Sequence, residues 1–148
     1  MADKDHKYDV FLSYSRRDLD WVGAFVEALR AGGVQSWFDV ADLEPGTRWE
    51  DEREGALRES RTLVVILSPN SIDSLTTYFE VGAAVADQKR IIPVLTDNLD
   101  LSQIPPLLRR FQFLRESSAS AAGRRVAEVI TKLQSTQEWT PAPAASDA

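Results

Sequence analysis

The sequence predicts an α/β domain, with five parallel strands between two layers of helices. Three observations carry that prediction. Short apolar runs rich in Val, Ile, Leu and Phe alternate five times with stretches of helical period, the pattern of repeated β–α units. One run, Thr62 to Leu67, is almost continuously apolar, as a central parallel strand covered on both faces has to be. A chain of 148 residues, 43% hydrophobic and 27% charged, matches one globular unit able to bury a full core.

The first strand is Tyr8-Asp9-Val10-Phe11-Leu12-Ser13-Tyr14, strand-like in residue type around Val10, Phe11 and Leu12. Ser15 to Asp18 break the run, and Asp18 is placed to cap the first helix. That helix has its apolar face at Leu19, Val22, Phe25, Val26 and Leu29, and Gly32-Gly33 close it. Val34 to Phe38 form the second strand, followed by a polar loop from Asp39 to Gly46. Thr47-Arg48-Trp49-Glu50 is a capping box opening a second helix that stays charged through Arg58. After the third strand, Ser68-Pro69-Asn70-Ser71 make a turn, and a helix is expected from about Thr77 to Asp87. Ile91-Ile92-Pro93-Val94-Leu95 is the fourth strand, with Pro93 placing it near an edge. Asp97 to Pro106 read as loop, Leu107 to Arg110 as a short helix and Phe111 to Leu114 as the fifth strand. Val126, Val129, Ile130 and Leu133 mark the last helix. Parallel strands joined by crossover helices give a flavodoxin-like three-layer sandwich. Residues 1–7 read as a polar lead, 8–135 as the domain and 136–148 as a flexible tail or linker stump.

Composition removes several function classes. A net charge of -6 argues against nucleic acid or an anionic membrane as partner. The absence of cysteine removes thiolate chemistry and cysteine-based zinc sites, and a single histidine, His6 in the polar lead, argues against histidine metal sites and catalytic triads. The acidic stretch Glu50-Asp51-Glu52-Arg53-Glu54 spreads around a helix axis and reads as a solvated face, not a metal site. No apolar stretch approaches the ~20 residues of a membrane span, and the charged start lacks a signal-peptide core. A cytoplasmic location is expected, with no metal and no bound cofactor.

A strand ending in a polar, basic turn at a helix start is where open α/β sheets place ligands. Around that feature the motifs fall in a recognisable order. They are Tyr8-Asp9-Val10-Phe11-Leu12-Ser13-Tyr14-Ser15, Phe38-Asp39 with Leu43-Glu44-Pro45-Gly46, Leu63 to Asn70, Phe79-Glu80-Val81-Gly82-Ala83-Ala84, and Ile92-Pro93-Val94. Over residues 7 to 135 the chain resembles the Toll/interleukin-1 receptor (TIR) domain family. The resemblance implies one of two behaviours. Many members, especially bacterial and plant ones, cleave the nicotinamide–ribose bond of NAD⁺ to release nicotinamide with ADP-ribose or a cyclised form. Others are adaptors that only associate with further TIR domains. The 13 arginines against 4 lysines point to a bacterial member, and the NAD⁺-cleaving reading is the one taken forward.

By this resemblance Glu80 matches the catalytic glutamate. The leaving group is already a pyridinium, so no general acid is required, and one fixed carboxylate can stabilise or trap the ribosyl cation. Glu80 would lie in the first turn of its helix, with small Ala83 and Ala84 beside it. Thr77-Tyr78-Phe79-Glu80 is equally a capping box, a purely structural use of the same glutamate. Family members usually carry an aromatic four residues earlier, where this chain has Thr76, with Tyr78 two residues before. Trp49 is the expected substitute, against a core role at its helix start. The loop residues Tyr14, Ser15, Arg16 and Arg17 match the family's nucleotide cleft, where an arginine fork suits pyrophosphate; a solvated turn is the plain alternative. Asp39 and Glu44 are candidates for ribose or amide contacts, or for holding their loop closed. The resemblance further implies NAD⁺ as substrate and assembly into a homo-oligomer or filament, with the Asp39–Gly46 loop joining the cleft to a neighbouring domain. Two other classes fit less well: a nucleoside deoxyribosyltransferase-like enzyme would lack the Leu43–Gly46 signature, and a phosphoacceptor receiver domain needs an aspartate where Ser68 stands.

Overall fold

The computed structural model describes residues 7–37, 49–96, 99–116 and 118–136. Its elements are β1 (Tyr8–Ser13), α1 (Leu19–Ala31), β2 (Ser36–Trp37), α2 (Trp49–Arg58), β3 (Ser60–Leu67), α3 (Leu75–Ala86), β4 (Arg90–Leu95), α4 (Pro106–Arg109), β5 (Leu114–Arg115) and α5 (Ala119–Thr136). The five strands form one parallel sheet in the order β2-β1-β3-β4-β5, the flavodoxin-like arrangement expected. No helix among the described residues is long and apolar enough to cross a membrane.

Strand alternation divides the core in two. Val10 and Leu12 of β1, with Val64 and Ile66 of β3, face α1 and α5, meeting Val22, Phe25, Leu29 and Val126. Phe11, Leu63, Val65 and Leu67 face the other way, toward Ala56 and Leu57 of α2 and Val81 and Ala84 of α3. Phe25, Leu29, Leu63 and Leu67 are wholly buried, each contributing about 1.5–3 kcal/mol of apolar burial. On the first face α1 and α5 touch backbone to side chain. A Cβ on Gly123 would stand 2.5 Å from the Phe25 carbonyl oxygen, and one on Gly32 would stand 2.6 Å from the Ala127 Cβ.

Helix ends follow local chemistry. Gly33, at φ 86°, closes α1 with its N–H on the Arg30 carbonyl while the Val34 N–H reaches Leu29, and Val34 and Leu29 meet in the core. The same closure ends α3, with Gln88 in the left-handed region at φ 59°.

Three expectations shift. The second strand is only Ser36–Trp37 among the described residues, with Phe38 outside them. The fifth is Leu114–Arg115, because Phe111 and Phe113 turn their rings onto the α2/α3 face instead of extending the ladder. Strand β4 lies between β3 and β5, but its ladder with β5 takes only Val94 and Leu95. Pro93, which needs a place without a donor, precedes that ladder.

Candidate active site

Chain order reverses between β1 and β3. After β1 the chain crosses to the α1 face, and after β3 it crosses to the α3 face. The crevice beyond the strand ends at such a switch point is where open α/β sheets hold ligands. Polar side chains tie its rim together. The Asp18 carboxylate, which makes no cap bond to its helix, accepts from the Ser68 hydroxyl at 2.5 Å and the Asn70 amide at 2.8 Å. Ser71 in turn donates to the Ile66 carbonyl at 2.7 Å. The expected capping role of Asp18 is thus replaced by a bridge between the loops after β1 and β3.

Glu80 lies on α3, the helix that follows the β3 end of this crevice, and is 4% exposed. The helix begins earlier than its sequence pattern implies. Ser74, not Thr77, is the cap residue, and its hydroxyl accepts from the Thr77 N–H at 3.2 Å. Glu80 therefore falls in the second turn, and the first turn holds no acid. Both the capping-box role and the first-turn dipole argument are corrected by this register. A carboxylate buried inside a helix, with no end to close, requires a charged partner. That partner is Arg53 of α2, whose Nε donates to Glu80 Oε2 in an ion pair with side chains 18% and 5% exposed. The other oxygen, Oε1, is buried and has no hydrogen-bond partner among the described residues.

Arg53 is itself held in place. Its guanidinium lies over the Phe11 ring, 5.5 Å from the centroid, and Phe11 stacks on Trp37 at 5.1 Å. The end of α2 is pinned by Lys89, whose Nζ donates to the Ser60 and Arg58 carbonyls at 2.8 and 3.3 Å. The solvated-face reading of residues 50–54 fails at Arg53. The signal was present in the spacing, since Arg53 leads Ala56 and Leu57 on one helical stripe. The Ser13 hydroxyl on the same face of β1 is also buried and unpartnered among the described residues.

The remaining candidates divide. Tyr14 packs against the α1/α5 core, across the sheet from Glu80. The Ser15 hydroxyl caps the turn Arg16–Asp18 by accepting from the Arg17 N–H at 3.2 Å, and Arg16 and Arg17 are exposed on that turn. Tyr78 packs against the α2/α3 core and gives its hydroxyl to the Ile72 carbonyl. Burial, with the Asp73 charge second, raises its pKa above 10.0, so the phenol stays a donor. Thr76 is exposed. Asp39, Glu44 and the Asp39–Gly46 loop lie outside the described residues, as does the side chain of Trp49.

The profile of the TIR domain matches residues 10–130. The probable 2′ cyclic ADP-D-ribose synthase BdTIR of Brachypodium distachyon is 30% identical over 131 residues, covering 78% of this chain and 58% of that protein. NAD(+) hydrolase TcpC of Escherichia coli is 30% identical over 102 residues, covering 66% of this chain and 33% of that protein. The chain thus spans 58% and 33% of these two relatives' length. Among solved structures, a metazoan TIR-STING receptor from C. gigas superposes with a TM-score of 0.72 at 23% identity, covering 85% of this chain and 40% of that one, a likeness of fold. With the profile match over most of its length, the chain belongs to the TIR domain family.

Proposed function

We propose that this domain cleaves the nicotinamide–ribose bond of NAD⁺, with Glu80 as the catalytic carboxylate. One observation carries the reading: Glu80 is a helix-interior carboxylate at the switch-point crevice, anchored through Oε2 by Arg53 and with Oε1 unengaged among the described residues. A purely structural ion pair gains nothing from a buried, unsatisfied oxygen. A ribosyl cation needs such an oxygen. As the C1′–N bond breaks, its electron pair leaves with the ring nitrogen and discharges the pyridinium. Glu80 Oε1 stabilises the positive charge left on the ribose. Water then adds to C1′ and loses a proton to give ADP-ribose, or a group of the same molecule closes the ring to a cyclic ADP-ribose. Relatives named as an NAD(+) hydrolase and a cyclic ADP-ribose synthase support this class of reaction, and the arginine excess supports a bacterial source.

The active form is an assembly, and the cysteine-free chain works in a reducing cytoplasm. Leu75 and Phe79, 84% and 66% exposed one turn apart on α3, supply an apolar surface beside the site that association would cover. The loop between β2 and α2 couples that contact to the cleft, and head-to-tail repetition extends it to a filament. The second reading is a TIR module acting by association alone, favoured by Thr76 in the place of an aromatic. Nicotinamide release measured across protein concentration separates the two. The enzyme reading expects release per molecule to rise with concentration as assemblies form; no release at any concentration assigns the domain to association alone.

A further inference from the structure

Two buried side-chain atoms lack a hydrogen-bond partner among the described residues: Glu80 Oε1 and Ser13 Oγ. The proposed reaction explains the first and leaves the second. Ser13 is 1% exposed and ends β1, paired in register with Val65 of β3. Because Phe11 and Val65 face α2 and α3, alternation turns the Ser13 side chain to that face too. It stands two residues beyond Phe11, about 7 Å along the strand. The Phe11 ring carries the Arg53 guanidinium, and Arg53 holds Glu80. Ser13 and Glu80 therefore lie on the same side of the sheet, linked through Phe11 and the Arg53 anchor. An alanine would fit this strand position without stranding a hydroxyl, so a serine lowers stability unless something bonds to it.

We infer that Ser13 is a substrate-positioning residue: its hydroxyl and Glu80 Oε1 together engage the hydroxyls of the ribose whose bond to nicotinamide is cleaved. This rests on the NAD⁺ reading above. The chemistry is complementary. A carboxylate only accepts, whereas a serine hydroxyl both donates and accepts. A vicinal diol can donate one proton to Glu80 and exchange a hydrogen bond with Ser13, which fixes the ring against the carboxylate. Binding would satisfy both orphaned atoms at once.

Ser13→Ala tests this, with two readouts that move in opposite directions. In the absence of ligand its thermal midpoint should rise, because the unsatisfied hydroxyl is gone. Its KM for NAD⁺ should rise on the order of tenfold, the worth of one neutral hydrogen bond, with kcat changing far less. NAD⁺ analogues lacking the 2′ or the 3′ hydroxyl of the nicotinamide ribose provide a measurement on the unmodified protein. At least one should lose about tenfold in kcat/KM with wild type and little with Ser13→Ala. Unchanged KM in Ser13→Ala, together with the same discrimination against both analogues, overturns the inference and leaves the NAD⁺ reading standing. A wild-type protein that releases no nicotinamide overturns both.

Discussion

The two faces of the sheet use the same strands and pack in opposite ways. Against α1 and α5, aliphatic and aromatic side chains interdigitate, and Gly32 and Gly123 let the two helices approach until a single methyl would collide with the Ala127 side chain or the Phe25 backbone. No buried polar side-chain atom is left unpaired in that layer among the described residues. Against α2 and α3 the core is as apolar at its base but holds an ion pair, a cation over an aromatic ring and two orphaned oxygens. One face is organised for density and the other tolerates unsatisfied polarity. Natural folds keep such exceptions where chemistry needs them.

The contrast can be broken most sharply at Arg53. Arg53→Leu strands the Glu80 carboxylate in a dry site and should cost about 3–5 kcal/mol, read by denaturant titration. Adding Glu80→Met should recover most of that loss, since an apolar pair of similar volume is nearly neutral. A single-variant loss below about 0.5 kcal/mol would make the pair an ordinary solvated bridge. On the dense face, Gly123→Ala should cost about 1–3 kcal/mol through overpacking between α1 and α5. Its nicotinamide release per folded molecule should match wild type, because Glu80, Arg53 and Ser13 all lie on the opposite face of the sheet. Lost activity in folded Gly123→Ala would show the two faces to be coupled.

The alternation of apolar runs was enough to read the parallel sheet and the helices on both of its faces. It works because a strand covered on both faces, such as Ser60–Leu67, has no polar alternation to confuse it. Element ends were less legible. Ser74 and Thr77 are both good caps, and the choice went to Ser74 because the turn Ser68–Ser71 delivers the chain there, with the Ser74 N–H on the Ser71 carbonyl at 3.0 Å. The motif singles out Glu80, but its surroundings were not legible in the sequence. Arg53 is 27 residues away in the chain, and it stands in a run of acids, Glu50-Asp51-Glu52-Arg53-Glu54, that hides it in the sequence. Asp18 and Asn70 meet across 52 residues, a contact that exists only once β1 and β3 are paired. Such long-range polar pairings leave no periodic trace.

Glu80→Gln tests the central claim most directly, by nicotinamide release and thermal midpoint measured on the same preparation. Glutamine keeps the volume and an acceptor for Arg53 and removes the charge that faces the ribosyl cation. The account predicts a fall in rate of at least about a hundredfold, roughly 3 kcal/mol of transition-state stabilisation, with the midpoint within about 5 °C of wild type. A variant that keeps the wild-type rate while its midpoint drops well beyond that range would make Glu80 an anchor for α2 and α3, not a catalytic group.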